Sequence, residues 1–238
     1  MGVIITALAA VCAFIQSNVG FGFNIMFMSL GPHFIDYSAA QVICFSGGML
    51  GNITNVLPNI KKVNKAQVLI PAVSYCIATF IAIEFAKGLE VSVLRRMLGC
   101  MLFALCIYFI LFSGKIKIRP GIKNAVIAGA LSGFGGGLFA ITGPPVAVYY
   151  LSALEDKYEY MATIQAYFFL TSGCSLILKL ITGTFGYFSP VWAIYLVLGV
   201  VIGGFAGGKT FSKLNPNMVR LCVYIFMGLS GLWIFING

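Results

Sequence analysis

Along this chain, long apolar runs alternate with short polar connections, and the runs come in two lengths. Six are about 20 residues long, which is what a helix rising about 1.5 Å per residue needs to cross a hydrocarbon core of about 30 Å. They are Ser38 to Leu57, Ala66 to Ala86, Val91 to Phe112, Tyr160 to Thr182, Phe188 to Gly207 and Pro216 to Ile236. Two open with a cap residue followed by proline, Ser189-Pro190 and Asn215-Pro216, as suits a first helical turn that has no use for the proline N–H. The other two runs, Gly2 to Gly31 and Ile122 to Ala153, are too long for one upright crossing and too short for two. Each is expected to form a broken or re-entrant helical hairpin.

Both of these segments contain a glycine-rich interruption and end on Gly-Pro: FIQSNVGFGFNIMFMSLGP from Phe14 to Pro32, and IAGALSGFGGGLFAITGP from Ile127 to Pro144. A weaker echo pairs LEVSVLRR at Leu89 with LNPNMVRL at Leu214. The repetition divides the chain into two membrane repeats, 1–114 and 115–238, forming one integral membrane domain. Unwound backbone is tolerated at membrane depth only where it faces protein or a cavity, so paired broken helices point to the substrate site of a transporter.

Charge supplies a test of how the hairpins sit, because Lys and Arg collect on the cytoplasmic face. If both broken segments cross once, Lys61, Lys62, Lys65, Lys115, Lys117, Arg119 and Lys123 share one face. Lys87, Arg95, Arg96, Lys157, Lys209, Lys213 and Arg220 then share the other, with no bias between them. If both dip in and return, Lys157, Lys209, Lys213 and Arg220 join the first group, only Lys87, Arg95 and Arg96 remain opposite, and Lys179 stays inside a span. The second arrangement obeys the rule. It gives three full crossings per half, so the halves are expected to be inverted: an all-α polytopic membrane protein of two inverted repeats, each a broken or re-entrant hairpin plus three transmembrane helices.

The composition agrees, with 60% hydrophobic and 9% charged residues. The net charge of +9 is accounted for by cytoplasmic loops facing anionic lipid, so no nucleic-acid partner is expected. No charged segment precedes the first apolar run, which argues against a cleaved signal peptide. The expected location is the plasma membrane, the inner membrane of a bacterium. A homodimer is an allowed assembly.

A helix that begins in mid-membrane presents backbone N–H groups and a partial positive charge to an anion. Two such ends are expected to converge, at Asn24 and at Gly137-Leu138. The candidate substrate-binding residues are Gln16, Asn18, Gly20, Gly22, Asn24, Ser132, Gly135, Gly136, Gly137, Thr142, Gly143 and Gln165. Ser17, Gln41, Ser46, Asn52, Thr163, Thr171 and Ser172 are available to line the same cavity. Gly203-Gly204 and Gly207-Gly208 read instead as helix-packing residues. The six acidic residues, Asp36, Glu84, Glu90, Glu155, Asp156 and Glu159, lie near predicted membrane edges, which disfavours cation transport. Lys179 is placed near the end of its span, within snorkelling reach of the interface, and His33 at the interface. The seven cysteines form no CxxC pair and read as small apolar residues. With no HExxH, no GxSxG and no midplane carboxylate pair, neither an enzyme nor a metal or cofactor site is expected.

The stretch GFGGGLFAITGPPVAVYYL from Gly133 to Leu151, with Ala162-Thr163 in the next helix, resembles the second-half signature of the TauE/SafE family of sulfite and sulfur-anion exporters. GFGF…GP from Gly20 is similar to its first-half copy. Phe23-Asn24 stand where the second copy has Gly136-Gly137, and Tyr160-Met161 stand where members often place a basic residue. The resemblance implies a membrane exporter of small sulfur-containing anions such as sulfite, thiosulfate or an organosulfonate. An anion channel, or a carrier of another small organic anion, is the alternative.

Overall fold

The computed structural model describes residues 1–19, 22–112, 118–186, 188–210 and 216–237, and among these it contains no strand. Its helices are α1 (Gly2–Val19), α2 (Phe23–Leu30), α3 (Tyr37–Val56), α4 (Lys65–Lys87), α5 (Val91–Phe112), α6 (Ile122–Phe139), α7 (Gly143–Ala153), α8 (Lys157–Ile181), α9 (Pro190–Thr210) and α10 (Pro216–Asn237). Short 3-10 turns cover Gly31–His33 and Leu57–Lys62. Starts are marked by side-chain caps: Asn64 Oδ1 accepts the Gln67 N–H ahead of α4 at 3.2 Å, and Asp156 Oδ1 accepts the Glu159 N–H ahead of α8 at 2.7 Å.

Among the described residues, α4, α5, α6, α8 and α9 are long and apolar enough to cross a membrane. This set differs from the six expected spans at the low end of the hydropathy range. It admits α6, expected as part of a re-entrant hairpin, and leaves out α3, whose length suffices but whose Gln41, Ser46, Asn52, Thr54 and Asn55 dilute its hydropathy. Gly2–Asn18 and Leu221–Asn237 are shorter apolar stretches within α1 and α10, and α10 as a whole, at 22 residues, has the length of the expected span Pro216 to Ile236. The outward faces suit lipid: Leu69, Val73 and Ile77 on α4 and Val201, Ile202 and Phe205 on α9 are each more than half exposed. This is a multi-pass membrane protein.

The elements repeat at two spacings. The first half's α1, α2 and α3 start at 2, 23 and 37, and α6, α7 and α8 start 120 residues later at 122, 143 and 157. The next pair, α4 and α5 at 65 and 91, is followed 125 residues on by α9 and α10 at 190 and 216. The second spacing is that of the Leu89/Leu214 echo. The first is not that of the glycine motif, which sets Gly20 against Gly133, 113 positions apart. The Gly-Pro pairs are therefore not equivalent: Gly31-Pro32 closes α2, whereas Gly143-Pro144 opens α7.

Two compact units form, and each takes helices from both halves. One comprises Met1–Gly47, Leu89–Ser113 and Phe185–Gly238. In it α1 runs parallel to α9, with Gly199, Gly203 and Gly207 seated on the backbone of Thr6, Ala10 and Phe14. Helices α5 and α10 run antiparallel, with Gly99 against Gly231 and Phe109 stacked on Tyr224 at 4.7 Å. The other unit comprises Gly48–Gly88 and Gly114–Thr184. There α6 runs parallel to α4, with Gly129, Gly133 and Gly137 on the backbone of Pro71, Tyr75 and Thr79. Helix α8 is also parallel to α4: the Asn64 N–H donates to Thr163 Oγ1 at 3.0 Å near both starts, and Tyr75 and Ser175 share a hydrogen bond of 2.7 Å further along. The entrance to α6 and the exit from α7 lie side by side, where the Ile118 N–H donates to Ser152 Oγ at 3.0 Å.

Four cysteines depart from the reading as small apolar core residues. Cys76 on α4 and Cys174 on α8 are joined by a disulfide, beside the Tyr75–Ser175 pair, and Cys100 and Cys222 are exposed rather than buried. Nothing local betrays the bridge, because its ends lie 98 residues apart on two helices that only the fold makes neighbours.

Candidate functional site

The second break does not fall where the glycines predict it. Helix α6 continues through Gly135, Gly136 and Gly137 to Phe139 and closes on Ala140 in the left-handed region, at φ 57°, whose N–H donates to Gly136 O at 2.9 Å. The unwound residues are Ala140, Ile141 and Thr142, all buried, and the following helix starts at Gly143. The half-helix end expected at Gly137-Leu138 is thus corrected by six residues. Glycine misled because in a membrane it also serves close helix contact, and here Gly133 and Gly137 serve that. The real end differs in chemistry too. Pro144 and Pro145 occupy the first turn of α7 and have no N–H, so Gly143 and Val146 supply the donors left there.

Hydroxyl groups gather under this break. A Cβ added at Gly136 would collide with the Tyr75 hydroxyl and come within 3.0 Å of Thr142 Cγ2, so those two side chains meet at Gly136. Tyr75 pairs with Ser175, Ser175 Oγ donates to Thr171 O at 2.9 Å, and Thr171 Oγ1 donates to Tyr167 O at 2.9 Å. The Tyr167 ring stands edge-on to Tyr75 and to Tyr150, with centroids 6.0 and 5.9 Å apart. Its hydroxyl lies beside that of Ser132, outside strict hydrogen-bond geometry but near enough for the two to interact. Both are completely buried and have no partner beyond each other, so at least one of their two O–H donors is left unused.

The first break lies where the sequence places it. Gly22, at φ 112°, precedes α2, a conformation for which glycine is suited. Asn18 is buried, with Nδ2 donating to Phe14 O at 2.8 Å and Oδ1 unpartnered. Gln16 is buried on the preceding turn, and the Asn24 carbonyl accepts from Cys44 Sγ at 3.6 Å. Gly20 lies outside the described residues.

The structure thus groups Gln16, Asn18, Gly22 and Asn24 in one unit and Ser132, Gly136, Thr142 and Gly143 in the other. Gln165 is buried on α8, one turn before Phe168, which packs on Gly143 at 3.6 Å from its Cβ direction. Gly137 belongs to the α4 contact. Tyr75, Tyr167 and Ser175 are additions, and a signal existed: Thr163, Tyr167, Thr171 and Ser175 recur every fourth residue along α8. Lys179 comes one turn further and is 3% exposed, so it is buried rather than snorkelled as expected.

Comparison with known proteins places this arrangement. Residues 5–234 match the family described as Sulfite exporter TauE/SafE. A protein of Methanocaldococcus jannaschii named as a probable membrane transporter is 24% identical over 188 residues, which cover 74% of this chain and 70% of that protein. No solved structure matches. A match across nearly the whole sequence, on an all-helical membrane fold with two broken helices, carries the conclusion: this chain is a membrane transporter that belongs to the TauE/SafE sulfite exporter family.

Proposed function

We propose that the protein exports a small sulfur-containing anion, such as sulfite, thiosulfate or an organosulfonate, and binds it at the helix breaks through neutral donors. The observation that carries this reading is the pair of buried hydroxyls, Ser132 Oγ and Tyr167 OH, with no partner beyond each other beside the second break, which leaves at least one O–H donor unused. An unsatisfied buried polar group costs about 1–3 kcal/mol, a penalty removed when a ligand oxygen accepts from it. Thr142 and the Gly143 N–H stand at the same break, and Asn18, Gln16 and the first turn of α2 form the polar surroundings of the other. Hydroxyl donors fit a sulfur oxyanion, whose oxygens only accept, and binding without a direct counter-ion keeps release fast. Lys179, buried one turn beyond Ser175, adds a positive field along α8.

The two-repeat, re-entrant architecture belongs to this proposal, with 1–114 and 115–238 as the repeats. It is supported by the parallel course of α4 and α8. Helix α5 returns the chain across the membrane, so one net crossing by α6 and α7 would set α8 antiparallel to α4.

The test is substrate flux in proteoliposomes. Ser132→Ala and Tyr167→Phe each remove a donor without adding bulk, and each is expected to weaken sulfite or sulfonate affinity by about tenfold, within the range of one lost hydrogen bond to a charged group. Saturation with counter-flow marks a carrier. Unchanged affinity in both variants removes this hydroxyl pair from the site, and flux without saturation replaces the carrier with a channel.

A further inference from the structure

The unit that holds α1 and α10 carries a small cavity with charged and polar residues at its rim, outside either break. Pro32, His33, Arg95, Ile234 and Asn237 line a partly open cavity of about 30 Å³. Its position follows from packing: α5 and α10 run antiparallel with Gly99 on Gly231, so the start of α5, with Arg95, meets the end of α10, with Asn237. The 3-10 turn after α2 closes the third side with Pro32 and His33.

Arg95 is the unusual member. Its Nε is buried without a hydrogen-bond partner, and no carboxylate lies within ion-pair distance of it among the described residues. The acid nearest to His33 in sequence, Asp36, already accepts the amides of Ser38 and Ala39 at 3.1 and 3.4 Å. A guanidinium stays charged at any physiological pH, and a partly buried charge without a counter-charge is expensive. Burial and the Arg95 charge both push the His33 pKa below its ordinary value, which favours the neutral imidazole beside the Arg95 guanidinium. Asn237 Nδ2 donates to Trp233 O at 3.0 Å, which leaves its second N–H for the cavity. One water needs about 10–15 Å³ of such space, so this cavity accepts about two oxygen-sized atoms and no larger organic body.

We infer that this cavity is an oxyanion site, in which Arg95, assisted by His33 and Asn237, takes two oxygens of a phosphate, sulfate or sulfonate group whose remaining substituents point outward. An anionic phospholipid headgroup and a dissolved oxyanion both present that chemistry. The inference stands apart from the transport site, since no residue of either break takes part in it.

The test uses the full chain, purified and delipidated in detergent, with thermal stability as the readout, because a ligand that binds only the folded state raises it by mass action. The probes are phosphatidylglycerol against phosphatidylcholine in mixed micelles, and sodium sulfate against sodium chloride at matched ionic strength. Wild type is expected to be stabilised by the anionic lipid or by sulfate, and not by the two controls. Arg95→Gln should need at least tenfold more of the effective anion, and Arg95→Lys, which keeps charge but not the fork, should fall between. A response to phosphatidylglycerol alone assigns the site to a lipid headgroup, and a response to sulfate that phosphatidylglycerol suppresses assigns it to a dissolved oxyanion. If Arg95→Gln fails to fold, His33→Phe, which fills the cavity and keeps the charge, should lose the same response. No anion effect in wild type, or an undiminished one in the Arg95→Gln or His33→Phe protein, overturns the inference.

Discussion

Ala140 is a residue whose conformation and identity disagree, the one non-glycine position with positive φ among the described residues. An L-residue in the left-handed region is strained by about 1–2 kcal/mol, and helices that end this way favour glycine. Ala140→Gly is therefore expected to raise stability by about 1 kcal/mol, read as a melting temperature a few degrees higher in detergent, without shifting the break. A lower melting temperature would show that the buried methyl contributes more through packing than its backbone conformation costs. At this scale the sequence was legible where a residue type has one use in a membrane. Asn18, Gln16 and Ser132 are polar residues of apolar helices, and each is turned away from lipid into the protein. Tyr75 and Tyr167 were illegible because a tyrosine in an apolar run reads as core, and only the fold brings their hydroxyls to Gly136 and Ser132. The breaks also share a contact that no motif records: the Phe23 ring on α2 presses on Gly47 of α3, while Phe168 on α8 packs on Gly143 of α7. Aromatic and glycine have exchanged sides.

The helices themselves were the easiest elements to read, because span length is set by the bilayer and caps are set by Asn, Asp and Pro. The expected Val91 to Phe112 is α5, and Ser38 to Leu57 differs from α3 by one residue at each end. What the glycines do was harder, since one residue type both breaks a helix and lets two helices touch. The structure separates the uses. On α6, Gly129, Gly133 and Gly137 face α4 at intervals of four, and on α9, Gly199, Gly203 and Gly207 face α1 in the same way. The expected packing role of Gly204 and Gly208 passes to their neighbours: a Cβ at Gly204 would reach only Ser17 Oγ at 3.9 Å, and one at Gly208 nothing within 4 Å. Gly133→Val and Gly203→Val drive side chains into the backbone of Tyr75 and Ala10, and each should cost about 2–4 kcal/mol and lower yield and melting temperature. Gly208→Ala should be neutral or stabilising by up to about 1 kcal/mol through helix propensity. Equal losses in all three variants would mean that α9 packs through a different face.

For the molecule as a whole, the proposed re-entrant insertion rests on two lines of argument. One is charge, which is one-sided only if both hairpins return to the face they enter from. The other is direction within a single unit, where α4 and α8 start together at Asn64 and Thr163, and the two ends of the α6–α7 hairpin meet at Ile118 and Ser152. The internal repeat supports both, though the glycine motif that advertises it is out of register with the elements by seven residues, 113 against 120. Gly22 unwinds the chain in one half while Gly133 and Gly137 pack it in the other, so the glycine motif and the helix starts follow different registers. Single cysteines placed in a cysteine-free background test the arrangement. Positions 61, 123 and 157 should react with a membrane-impermeant maleimide from one side only, and positions 88 and 183, at the far ends of α4 and α8, from the other. Because α4 and α8 are parallel, 61 must pair with 157 and 88 with 183. If 61 and 157 label from opposite faces, the α6–α7 hairpin makes a net crossing, the inverted repeat is lost, and the charge bias needs another cause.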